Sequence, residues 1–173
     1  MSFKYLAGAV TAASLLLAAP AAFGYSDTQQ TTSTDGAKKS LSWSNLPTSS
    51  SQVTVKLEVR GDLDGNFQSL NENVAVTIEG MDQGTFCDGD DGCNDQCGTM
   101  YYSTSYTLPM AAVNNDGKVD VDLDPTSDVN ICDQLSSANN RPDLEAKVTL
   151  SYTGSNNEPT VKDVSVTTNE DNA

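Results

Sequence analysis

Three of the chain's four cysteines and four of its aspartates fall in the eleven residues Cys87-Asp88-Gly89-Asp90-Asp91-Gly92-Cys93-Asn94-Asp95-Gln96-Cys97. Sulfur at this density can form disulfides or ligate zinc, and carboxylate oxygen can hold a hard cation such as calcium. The 173 residues contain no histidine, and Cys132 stands 35 residues past Cys97, which argues against a compact zinc set. Two disulfides are the expectation. Three pairings are open, each tying the loop to the region around Cys132 and closing a second bridge within the loop; we take Cys87–Cys93 with Cys97–Cys132.

Calcium is the stronger chemical reading of the acidic residues. Gly61-Asp62-Leu63-Asp64-Gly65-Asn66 places Asp62, Asp64 and Asn66 two apart with a glycine for a sharp turn, which lets alternate oxygens converge. Asn73 stands where an EF-hand loop would have its closing glutamate, with Glu72 one position short, so the EF-hand register is not met. Asp88, Asp90, Asp91 and Asp95 make the cysteine loop a second oxygen-rich candidate. In both loops Asp and Gly also suit plain solvated turns. Asp120, Asp122 and Asp124 alternate along one segment and are read as a solvated strand face.

Catalysis lacks its usual inventory. Without histidine there is no Ser-His-Asp triad, and no glycine-rich phosphate loop follows a strand and precedes a helix. A carboxylate pair remains formally able to hydrolyse a glycosidic bond, but no spacing singles one out. The expectation is a protein that is not an enzyme. Trp43, the one tryptophan, can be a core or lid residue or a ligand-binding platform that stacks on a sugar.

These residues need elements to position them, and the pattern is all-β. Val53, Val55, Leu57 and Val59 alternate with polar residues, and the same period of two recurs at Val74–Ile78, Met100–Leu108, Val119–Leu123, Leu144–Leu150 and Val164–Val166. Leu41–Leu46 adds a seventh candidate strand. No stretch has a sustained helical period, so the expected fold is a two-sheet antiparallel β-sandwich, jelly-roll or immunoglobulin-like, with disulfide-stapled loops. Asn115-Asp116-Gly117 is read as a type I′ turn.

At the N-terminus, Lys4, an apolar run to Leu17 and Ala-Pro-Ala-Ala-Phe-Gly form a secretory signal peptide over 1–24. Ala22 and Gly24 suit a cut before Tyr25; Ala19 and Ala21 suit one before Ala22. Residues 25–40 are polar and read as a disordered leader, 41–168 as the sandwich and 169–173 as a disordered tail. With Lys4 lost, eight cations face 24 carboxylates, a net charge of about −16. That charge disfavours nucleic acid and anionic membranes as partners. No segment is apolar enough for a membrane span in the mature protein, which is expected outside the cell or in the periplasm.

The run Val-Thr-Val-Lys-Leu-Glu-Val-Arg-Gly-Asp-Leu-Asp-Gly from Val53, followed by Asn-Val-Ala-Val-Thr-Ile-Glu-Gly from Asn73, resembles the opening hairpin of β-sandwich modules in secreted bacterial surface proteins. The resemblance spans about residues 41–167 and rests on β-pattern and one turn read at Arg60-Gly61-Asp62-Leu63-Asp64. It implies a carbohydrate-binding or adhesion module, with a glycan or cell-surface component as partner; it carries no ligand set. The alternatives are a structural subunit of an extracellular matrix or fibre, and a small carboxylate-dependent hydrolase.

Overall fold

The computed structural model describes residues 22–63, 71–88, 93, 95–132 and 141–155. Strands run β1 (Ala22–Ser33), β2 (Lys39–Trp43), β3 (Val53–Leu63), β4 (Val74–Ile78), β5 (Met81–Phe86), β6 (Asp95–Gln96), β7 (Tyr102–Leu108), β8 (Val119–Pro125) and β9 (Leu144–Ser155), with one helical turn, α1 (Ala111–Asn114), before β8. One sheet has the order β1-β9-β3, and the far side of β3 pairs with β7 over Val53–Val59 and with β6 over Asp62–Leu63. The other has the order β2-β8-β4-β5. All pairings are antiparallel.

The alternating residues build the core as expected. Val53, Val55, Leu57 and Val59 of β3 pack with Val74, Val76 and Ile78 of β4, Val119, Val121 and Leu123 of β8, and Leu144, Ala146, Val148 and Leu150 of β9. Each of these is 1% exposed or less, and burying a side chain of this size contributes ~1.5–3 kcal/mol. The two sheets therefore close on one apolar layer. Both disulfides form as paired above, Cys87–Cys93 and Cys97–Cys132, each with a Cα separation of 5.3 Å.

Three local readings are corrected. The segment 25–40 is not a disordered leader: β1 takes up Tyr25–Ser33 and pairs along its length with β9, while Lys39 and Ser40 open β2. Its backbone pairs along the edge of β9, Tyr25 packs against the core, and farther along Gln29 Nε2 donates to the Ser42 carbonyl of β2 at 2.8 Å. Asp116-Gly117 does not turn a hairpin, since β7 and β8 lie in different sheets. The connection is α1, ended by Gly117 at φ +70° with its N–H on the Val113 carbonyl at 2.8 Å, a glycine helix stop.

The two-residue hairpin is instead Glu79-Gly80 between β4 and β5, with φ +53° and +70°, the positive pair that a type I′ turn requires. Lastly, Arg60-Gly61-Asp62 continues β3 and is no turn. Residues 1–21 of the expected signal peptide 1–24, the expected strand at Val164–Val166 and the expected tail 169–173 lie outside the described residues, and Ala22–Gly24 open β1.

Antiparallel register gives the sandwich two unlike ends. At one, the end of β3 meets the start of β9 through Gly61↔Leu144. At the other, the start of β1 meets the end of β9 through Ala22↔Ser155.

Candidate functional site

The first end carries an acidic cleft. Asp62 from β3, Glu72 from the approach to β4, Gln96 from β6, and Asp128, Asn130 and Ile131 from the segment after β8 line a cavity of about 210 Å³. Asp62 and Glu72 are 0% and 2% exposed, unusual for carboxylates. Buried charge has to be matched by nearby dipoles or cations.

Each wall is anchored by backbone. The Asn130 and Ile131 N–H groups donate to Asp62 Oδ2 at 3.0 and 3.1 Å, and donors aimed at one oxygen stabilise negative charge there. The Asn71 N–H donates to Asp128 Oδ2 at 3.1 Å. Asn73 and Thr126 exchange bonds, with the Thr126 N–H on the Asn73 carbonyl at 3.0 Å and the Asn73 N–H on Thr126 Oγ1 at 3.3 Å. The Thr126 hydroxyl also donates to the Asn71 carbonyl. The segments before β4 and after β8 are thus held as one unit.

Next to Asp62, Gly61 sits at a close approach of two strands. At φ +148° it lets β3 run against the start of β9, where a Cβ would stand 2.0 Å from the Asp143 carbonyl oxygen. The neighbouring bonds explain the closeness: Asp62 N–H donates to that carbonyl at 2.8 Å, and Cys97 N–H to the Gly61 carbonyl at 2.8 Å. Asp143 is itself fully buried and accepts the Asp35 N–H on Oδ2 at 2.9 Å. Gly36, beside it, donates its N–H to the Val129 carbonyl at 3.1 Å.

The Cys97–Cys132 disulfide joins the β6 wall to the wall after β8. Its two sulfurs and an Asp62 carboxylate oxygen lie within 4.8 Å of one another. Bonded to each other, those sulfurs are not thiolates, so they are not metal ligands. The cleft is lined by oxygen-bearing side chains, the carboxylates of Asp62, Glu72 and Asp128 and the amides of Gln96 and Asn130, but among the described residues those three carboxylates are not gathered within 4.8 Å of one another.

Around the rim, Arg60 donates to Glu145 Oε2 from Nε at 3.0 Å and from its terminal nitrogen at 2.6 Å, and the Tyr101 hydroxyl donates to the same carboxylate. The Tyr101 ring lies between Arg60, 4.6 Å from its centroid, and Lys147 at 4.1 Å. Burial, the largest single influence, pushes the Glu145 carboxyl up, but hydrogen bonds from Tyr101 and Arg60 and the charges of Arg60 and Lys147 outweigh it and leave it below its ordinary value. These cations are therefore engaged beside the cleft.

Of the metal candidates read from the sequence, Asp62 reaches the cleft. Asp64, Asn66, Asp90 and Asp91 lie outside the described residues. Asp95 pairs through its backbone with Leu63, and nothing is assigned to its side chain. Asp88 is exposed and accepts from the Thr85 hydroxyl at 3.3 Å; it does not line the cleft. Glu72, Gln96, Asp128 and Asn130 were not singled out, and Glu72 had appeared only as a misplaced EF-hand glutamate.

Trp43 is 3% exposed in the core, so its ring faces are covered and it is no sugar platform. Its Nε1 has no hydrogen-bond partner among the described residues. The Asp120–Asp124 face is open as expected, with Asp122 held by Ser40 Oγ at 2.5 Å and Lys38 at 2.9 Å. Those two bonds, Ser40's first, keep the Asp122 carboxyl below its ordinary value.

Among the described residues no helix is long and apolar enough to cross a membrane. No protein-family model and no curated protein matches the chain. Among solved structures it is similar to dimeric latent PorU from Porphyromonas gingivalis, with a TM-score of 0.43 and 6% identity over 80% of this chain. The chain spans 14% of the length of that protein, and at this level the likeness carries no functional argument.

Proposed function

We propose that the chain is an exported, non-enzymatic binding or adhesion module, stabilised by calcium in the cleft at the end of β3 and directed at a glycan or another extracellular surface component. The observation that carries the proposal is the pair of almost fully buried carboxylates, Asp62 and Glu72, lining one cavity with Asp128, Asn130 and Gln96. Two disulfides suit an oxidising compartment, and the signal-like N-terminus supplies the route there.

The test is a melting curve of the exported protein in millimolar calcium and in chelator, with Glu72→Gln and Asp128→Asn beside it. Calcium raises the melting temperature of the parent and does so less in both variants. Coincident parent curves would remove the metal from the proposal, and a glycan array with and without calcium then tests the partner class by itself.

A second reading, a subunit of an extracellular fibre or matrix, is favoured by β1. This twelve-residue edge strand contains neither proline nor a cation, the features that usually blunt an edge. Size-exclusion and electron microscopy separate polymer from monomer.

A further inference from the structure

We infer that the outer face of the β1-β9-β3-β7 sheet is the surface that meets the glycan, and that the glycan is an uncharged polysaccharide. This rests on the glycan reading above and gives it a place and a charge class.

Along each strand the outward side chains alternate with those in the core, and the registers set them in rows across all four strands. Ser26 of β1 stands opposite Ser151 of β9, Ser151 opposite Thr54 of β3, and Thr54 opposite Thr107 of β7. The next row is Thr28, Thr149, Lys56 and Ser105. Neighbouring strands lie ~4.8 Å apart and same-face residues of one strand ~6.7 Å apart, so the two rows make a compact grid in which Lys56 alone lacks a hydroxyl. Ser26, Thr28, Ser105 and Thr107 are exposed and the central positions half-buried.

Each hydroxyl can donate once and accept twice. Thr28 and Thr149 share a bond at 2.8 Å. Among the described residues, the hydroxyls of Ser26, Thr54, Ser105, Thr107 and Ser151 bond to no other group. They face solvent, where sugar hydroxyls can replace water as donors and acceptors alike.

Charge selects the class of glycan. The same face carries Lys56, Arg60 and Lys147 against Glu58 and Glu145, which is 3 minus 2, or +1, on a chain of net charge −15. Lys56 pairs with Glu58 at 2.9 Å and Arg60 with Glu145 at 2.6 Å. The outer face of the second sheet instead bears Asp120, Asp122 and Asp124 along β8. A polyanion is repelled by the molecule as a whole and a polycation is drawn to the second sheet. An uncharged chain gains only from the hydroxyl grid. Trp43 is buried and the Tyr101 ring already carries Arg60 and Lys147, so neither stacks on a sugar. Contacts through hydroxyls alone are weak singly, which favours a polymer that engages many at once.

The exported protein is passed over immobilised cellulose, mannan and dextran, all uncharged, beside the polyuronate alginate. Retention on at least one uncharged polymer is expected. Thr54→Val with Thr149→Val keeps the side-chain shape and removes two hydroxyls, so binding should weaken roughly tenfold or more. Ser105→Ala with Ser151→Ala should do the same and decides the matter if the first pair does not fold, as melting curves report. Thr77→Val, on the outer face of the second sheet, should bind as the parent does. Parental binding by both paired variants, an equal loss in Thr77→Val, or retention on alginate alone overturns the inference and leaves the glycan reading standing. A parent that binds none of the polymers and nothing on the glycan array defeats both.

Discussion

Both ends of the sandwich depend on a glycine under a close approach, but they close on different materials. At the cleft end, Gly61 lies against the Asp143 carbonyl oxygen, with buried carboxylates and a disulfide around it. At the opposite end, Gly154 lies under the ring of Phe23, with Tyr25 on Tyr152 next to it. Backbone wedged between two strands cannot move aside, whereas a ring on an edge strand can swing out. The first end is therefore the rigid one, suited to holding groups that repel each other.

Gly61→Ala should give the largest effect. A side chain here meets both an unfavourable φ and a backbone atom, each worth about 1–3 kcal/mol, so a loss of about 5 kcal/mol in urea denaturation is expected, and one below about 1 would break the contrast.

Removing Cys97–Cys132 comes next. Its sequence separation is 35 against 6 for Cys87–Cys93, and loop entropy gives roughly 4 kcal/mol for the longer closure and roughly 2 for the shorter. Paired Cys→Ser variants compared by denaturation check this order, and equal losses would mean that the cleft walls do not depend on their staple.

Third is calcium, which adds about 2.7 kcal/mol at a concentration 100 times its Kd. Titration followed by melting should show this increment shrinking in Glu72→Gln and unchanged in Phe23→Ala, which lies at the other end.

Gly154→Ala should cost about 1 kcal/mol, the scale of displacing one edge contact. A loss equal to that of Gly61→Ala would show that both ends are equally rigid.

The shallowest effect is alkaline. Burial first, and the neighbouring Tyr25 second, push the Tyr152 hydroxyl up to about 12, against about 10 in an unfolded chain. The folded state thus favours the neutral phenol, so this contribution is whole below pH 10 and is lost as pH rises through 12. Tyr152→Phe should flatten that arm of the stability profile; an identical arm in the variant would assign the loss to other groups.

Much of the fold was legible because β3, β4, β8 and β9 alternate apolar and polar residues with one face in the core. β1 was not, since Tyr25, Asp27, Gln29 and Thr31 alternate with residues equally polar; what holds it is backbone pairing to β9. β5 hides for a related reason: Met81-Asp82-Gln83-Gly84-Thr85-Phe86 is an edge strand buried only at Phe86. In the cleft, Asp62 stood out through its Asp-Gly surroundings. Glu72, Asp128 and Asn130 did not, because their meeting depends on β8 lying beside β4 and on the fold-back after β8. Local spacing records neither.

The run of β1 also fixes how the molecule can be presented. Ala22 and Ser155 pair with each other at the end away from the cleft, while Ser33 and Gly61 both pair with Leu144 at the cleft end. At ~3.3 Å per residue the twelve residues of β1 separate the two ends by about 36 Å. A partner or surface that grips the domain at the Ala22–Ser155 pair would hold it by the end opposite the acidic cleft and leave that cleft facing away from the point of attachment.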